Sequence, residues 1–183
     1  MIGTGFAFHR EQNFTYLLTC AHVVEDMGGE NNVLVNNIPA EIVAIGDIRN
    51  FDLAVLRVAE IDHIPLLKLT ILSSQTEKNL NIKICGNYLY GEEKKMLRQT
   101  VEGMIETSQK TMVVQSTEKA TVWKLQIQKE RLRRGYSGAL VVDSETGLVL
   151  GVATNIEKDG EQGAAISIEA LRKIWPEIPL ENI

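Results

Sequence analysis

The chain has 183 residues, 44% of them hydrophobic and 23% charged, and a formal net charge of -5. That length supports one sizeable core or two small packed barrels, and the apolar share excludes a disordered chain. The acidic balance argues against nucleic-acid partners, and no apolar run approaches the roughly 20 residues that cross a bilayer as a helix.

Short strand-type runs then dominate the chain. We expect strands near Gly5–His9, Tyr16–Thr19, Asn32–Val35, Ile38–Ile45 and Ala54–Val58. Further ones follow near Asn81–Gly86, Gln99–Ile105, Thr111–Ser116, Trp123–Gln128, Ala139–Val142, Leu148–Asn155 and Gly163–Ser167. Gly28-Gly29, Asn36-Asn37, Gly46-Asp47, Asp143–Gly147 and Lys158-Asp159-Gly160 supply turns between them. Regular short strands with polar turns read as an all-β sandwich or barrel. A helical turn is expected after His22, through Val23–Asp26. A closing helix is expected over Ser167–Trp175, capped by Ser167 and stopped by Pro176. Polar Leu72–Asn79 reads as a link between two halves. The two cysteines, Cys20 and Cys85, make no disulfide framework. With no basic, apolar leader at Met1–Gly5, they predict a reduced, cytoplasmic setting.

Three segments carry chemistry. His22 lies in Leu17-Leu18-Thr19-Cys20-Ala21-His22-Val23-Val24, Asp52 in Phe51-Asp52-Leu53-Ala54-Val55-Leu56, and Ser137 in Gly135-Tyr136-Ser137-Gly138-Ala139. A hydroxyl nucleophile needs a base to take its proton, and the base needs a carboxylate to orient it. Each residue also has a plainer reading: a core histidine, a turn-capping aspartate, a turn serine. Together the three favour the catalytic reading, with Asp47 the nearest rival to Asp52. His9 and His63 lack the His22 context and are assigned to surface or loop positions. A close-spaced metal site is not expected, since Cys20 and His22 form the one such pair.

On these segments the chain resembles trypsin-like serine proteases of the two-barrel chymotrypsin fold, in their compact bacterial, HtrA-like branch. Gly3-Thr4-Gly5-Phe6, Ile84-Cys85-Gly86-Asn87 and Gly151-Val152-Ala153-Thr154-Asn155 extend the resemblance over almost the whole chain. It implies two packed six-stranded antiparallel barrels with a short C-terminal helix. Residues 1–75 would carry His22 and Asp52, and residues 76–183 would carry Ser137. It implies a serine endopeptidase working through an acyl-enzyme, without a cofactor, on a protein or peptide substrate. The amides of Gly135 and Ser137 would form the oxyanion hole. Thr154, Asn155 and Ile156 would offer an edge strand to substrate. The stretch holding Arg131, Arg133 and Arg134 would wall the specificity pocket, with Arg131 reaching its base and favouring an acidic residue there, against the plainer reading of a solvated basic loop.

Two residues depart from the pattern: Tyr136 stands where many relatives have Asp or Asn, and Ala139 where a second glycine is common. The first removes the acidic partner of an animal-type zymogen switch. It raises the alternative of a latent binding module activated by a fused or associated sensor domain. An α/β-hydrolase is excluded, because no histidine follows Ser137 and that fold needs the order Ser, Asp, His.

Overall fold

The structure is a computed structural model, which describes residues 3–29, 32–59, 61, 63–72, 79–113 and 120–178. Strands β1 (Phe6–Glu11), β2 (Phe14–Thr19), β3 (Leu34–Val35), β4 (Ile38–Ile45) and β5 (Ala54–Ala59) form one antiparallel sheet in the order β1-β2-β5-β4-β3. Helix α1 (Ala21–Asp26) follows β2 directly. The β3–β4 hairpin turns on Asn36 and Asn37, both at positive φ (51° and 67°), as tight two-residue hairpin turns require.

Strands β6 (Leu80–Tyr90), β7 (Lys95–Val113), β8 (Ala120–Lys129), β9 (Leu140–Asp143), β10 (Val149–Glu157) and β11 (Gln162–Ser167) close into a barrel in the order β10-β11-β8-β7-β6-β9. After β11 a 3-10 turn, Ile168–Ala170, leads into α2 (Leu171–Ile174). Ser167 Oγ accepts the Glu169 N–H at 3.2 Å, the capping role its position predicts.

Two expectations are corrected. Among the described residues the N-terminal half forms a five-stranded sheet and does not close into the expected six-stranded barrel. The chain after β5 runs beside β1 but gives it one backbone bond, Leu67 N–H to Ala7 O (2.9 Å). Pro65 has no N–H to donate, and Leu69 bridges instead to Val149 of β10. Second, Gln99–Ile105 and residues 111–113 are not separate strands. They belong to β7, where a register irregularity between Ile105 and Lys110 absorbs the polar break. Residues 114–116 of that second strand, and 73–78 of the expected link, lie outside the described residues. His9 lies half-buried in β1, within the expected Gly5–His9 strand, its ring 5.2 Å from that of Tyr16, and His63 is exposed as expected.

A core cluster joins the two halves. Phe6, Leu18, Leu53 and Val55 of the first sheet pack with Leu140, Val149, Val152, Ile166 and Ile168 of the second half. The closing segment adds a ring stack: Trp175 lies 5.4 Å from Tyr16 at an interplanar angle of 16°. This shared core sets the His22 and Asp52 segments against the Ser137 loop. No helix among the described residues is long and apolar enough to cross a membrane.

Candidate active site

The apolar end of β2 delivers Cys20 and Ala21, both fully buried, and so fixes the start of α1. His22, in its first turn, keeps a partly exposed side chain (26%). Asp52 lies just ahead of β5 and is 4% exposed. Its Oδ1 accepts the backbone N–H of His22 at 2.9 Å, and its Oδ2 meets His22 Nδ1 at 2.7 Å. A third donor, Thr154 Oγ1, also bonds Oδ2. A buried carboxylate needs such partners. The hydrogen bond to Asp52, opposed by partial burial and reinforced by the Asp52 charge, holds the His22 imidazole above its ordinary pKa of 6.5.

Thr154 reaches Asp52 through a bulge. In the β10–β11 ladder Ala153 pairs with Ala165 and Asn155 with Ala164, so Thr154 falls in the register shift. A bulge re-aims a side chain, here across into the His22–Asp52 pair. The carbonyl of Thr154 accepts a long hydrogen bond (3.4 Å) from Ser137 Oγ. Thr154 thus touches both Asp52 and Ser137. Sequence reasoning placed it on a substrate-facing edge and missed this bridging contact; its signal is a register shift that the sequence does not display. Among the described residues no hydrogen bond joins Ser137 to His22 directly.

The Ser137 loop is a compact turn bounded by Gly135 (φ 105°) and Gly138 (φ 87°). Both conformations disfavour residues with a Cβ. Inside it, Tyr136 N–H donates to Arg133 O, Gly138 N–H to Ala153 O and Ala139 N–H to Tyr136 O. The amides of Gly135 and Ser137 have no acceptor among the described residues. They are the two amides expected to receive an oxyanion. Tyr136 is 1% exposed: its ring packs on Gly86, where a Cβ would come within 2.4 Å, and stacks 6.4 Å from that of Tyr88. Its hydroxyl donates to Gln99 O (3.3 Å), and burial pushes its pKa up to about 12. Packing of the Tyr136 ring into the barrel anchors this loop. Ala139 is fully buried, immediately precedes β9, and is not among the residues at positive φ.

The remaining candidates lie apart. Strand β9 covers β10 only as far as Val152, so residues 154–157 have β11 on one side and an uncovered edge on the other. Asn155 and Ile156 are exposed along that edge. Arg131 is half-exposed and ion-paired with Glu161, outside the His22–Asp52–Ser137 cluster. Arg133 stacks on the Tyr88 ring at 4.8 Å.

Cys20 Sγ, His22 Nδ1 and the Asp52 carboxylate lie within 4.8 Å of one another, as a metal site would require. The direct 2.7 Å contact occupies both Nδ1 and Oδ2. An ion bonding each at about 2.0 Å would have to spread that pair to reach tetrahedral angles. Cys20 is fully buried and donates to Ala153 O (3.3 Å). Burial first, and Asp52 second, push its thiol pKa up, so it is an inert core thiol.

Residues 3–152 match the trypsin-like peptidase domain model. The chain belongs to that family, and with it to the serine-type peptidases. No individual curated protein matches the peptidase by sequence. Among solved structures it is similar to Rv3671c of M. tuberculosis H37Rv in a mutant, inactive form, with a TM-score of 0.64 and 21% identity over 97% of this chain and 83% of that one. The active form of that protease gives 0.63 at 18% identity, covering 96% and 73%. A variant of the HtrA-type protease AlgW, solved with a decapeptide, gives 0.65 at 21% identity, covering 93% of this chain. The peptidase spans about half of the AlgW chain (49%). At these identities the likeness is one of fold.

Proposed function

We propose that the chain is a serine endopeptidase in which Ser137, His22 and Asp52 act as nucleophile, general base and orienting carboxylate. One observation carries the reading: Thr154 bonds Asp52 through its side chain and Ser137 through its carbonyl, tying three remote segments into one cluster. In this mechanism Ser137 Oγ attacks the scissile carbonyl as His22 takes its proton. Asp52 keeps the proton-bearing Nδ1 directed at itself and stabilises the imidazolium. The amides of Gly135 and Ser137 receive the charge that develops on the carbonyl oxygen. His22 then returns the proton to the leaving amine, and water hydrolyses the acyl-enzyme.

Substrate would lie extended along Thr154, Asn155 and Ile156, bonded through its main chain, with side chains selecting the sequence. Residues 1–75 and 76–183 would act as one peptidase unit, with the site between them. Arg131, held by Glu161, would act at the rim of the specificity pocket rather than its floor. Cleavage of a proteome-derived peptide library, mapped by mass spectrometry, tests the reading. Wild type should cut, Ser137→Ala and His22→Ala should not, and Asp52→Asn should be slower by roughly 10⁴-fold. Equal cutting by Ser137→Ala would refute it.

The Ser137–Thr154 contact favours one second reading: a latent enzyme whose serine turns to His22 only when a fused or associated regulatory domain, or the substrate, docks. Catalytic hydrogen bonds are often long before substrate binds. Cleavage by the isolated chain would exclude the need for a partner domain.

A further inference from the structure

Every polar atom of Thr4, ahead of β1, is hydrogen-bonded, and two of its four bonds reach the Ser137 loop. Its N–H donates to Ser137 O (2.8 Å), and its carbonyl accepts from Thr19 Oγ1 (2.7 Å), three residues before His22. Its hydroxyl accepts the Asn87 N–H (2.9 Å), which leaves the hydroxyl proton to Gly135 O (2.7 Å). The residue is 5% exposed. It fits so closely that a Cβ on Gly138 would stand 1.9 Å from Thr4 O.

The peptide planes of the loop show what this does. The 135–136 plane is held at both ends, by Thr4 Oγ1 on its carbonyl and Arg133 O on its amide. The 137–138 plane is likewise held by Thr4 N and Ala153 O. Between and before them lie the two amides without acceptors, Ser137 N–H and Gly135 N–H. The 134–135 plane has no bond of its own among the described residues; its direction follows from Gly135, a residue with no Cβ to resist rotation. If Gly135 O were released, that plane could turn over. Arg134 O would then face the site in place of the Gly135 N–H.

We propose that the Thr4 hydroxyl is a positioning group for the oxyanion hole: by holding Gly135 O it keeps the Gly135 N–H turned toward the reacting carbonyl. This rests on the serine-peptidase reading above. Thr4 touches neither substrate nor the reacting atoms; it acts through Gly135. Losing a single hole donor slows acyl transfer by about 100- to 1000-fold, so partial misorientation should slow it by about 10- to 100-fold.

The test is the kinetics of fluorophosphonate labelling of the full chain, which phosphonylates the serine through an oxyanion-like centre. Thr4→Val keeps the shape and removes the hydroxyl; Thr4→Ser restores it. Val58→Ala, in the core of β5, is a control for loss of stability alone. The amount of enzyme labelled at completion reports the folded fraction, and the saturating rate constant reports the hole. The proposal expects Thr4→Val to label fully but at least tenfold more slowly, with the half-saturating probe concentration little changed. Thr4→Ser should be within about threefold of wild type, and Val58→Ala should keep the wild-type rate constant. Thr4→Val at the wild-type rate, or a Thr4→Ser as slow as Thr4→Val, overturns the proposal while leaving the peptidase reading intact. Thr4→Val losing only amplitude, like a destabilised control, also overturns it. A wild-type chain that never labels at Ser137 removes the reading and the proposal with it.

Discussion

Asp52 receives three hydrogen bonds while almost fully buried, and His22 contributes two of them. Because folding raises the His22 pKa, the folded state holds the proton more tightly than the unfolded chain does. The resulting stabilisation is complete below pH about 6.5 and is lost as pH rises through the raised value. His22→Gln should therefore cost more stability at pH 5.5 than at pH 9, measured as Tm against wild type. Activity runs the opposite way, since the base must be neutral: kcat/KM should climb with pH to a midpoint above 6.5. Thr154→Val should test the bridge. Loss of a hydrogen bond to a charged group is worth about 1.5–3 kcal/mol, so kcat should fall by roughly tenfold or more. Unchanged kcat would show that Asp52 is held by His22 alone. The three triad candidates were legible in the sequence because each sits in a short local motif. Thr154's bridging contact was not, because it depends on how β10 registers against β11. Nor was the Thr4 hydroxyl, which meets Gly135 across 131 residues of chain.

At the scale of elements, the Ser137 loop is clamped between the Thr4 segment ahead of β1 and β6. Tyr136 fills the space over Gly86 and Gly138 abuts the Thr4 carbonyl. Tyr136→Phe loses one long hydrogen bond and should cost about 0.5–1.5 kcal/mol in urea unfolding, with labelling of Ser137 retained. Gly138→Ala should abolish labelling, because its φ of 87° and the 1.9 Å approach leave no place for a methyl group. Labelling at the wild-type rate in that variant would contradict the loop geometry. The runs of apolar residues indicated five strands in the first half, and five are present among the described residues. The sixth was implied by the family resemblance, and the segment that would supply it is drawn toward β10 by Leu69. In the second half the polar stretch after Ile105 divided one strand into two expected ones, because a register irregularity within a strand leaves the same polar break in the sequence as a strand end.

At the scale of the whole molecule, the site exists only where the two halves meet. The joint core and the Tyr16–Trp175 stack predict a single cooperative unfolding transition rather than two. Trp175→Ala should lower Tm through loss of a ring stack worth about 0.5–1.5 kcal/mol beyond its buried area. It should leave the rate constant of the remaining folded enzyme unchanged, and two resolved transitions in wild type would contradict the shared core. The proposed peptidase activity requires Ser137 to be an activated nucleophile within the assembled site. The most direct measurement is intact mass after fluorophosphonate treatment of wild type and Ser137→Ala. One adduct on wild type and none on the variant is the predicted result; no adduct on wild type, or equal adducts on both, would contradict it.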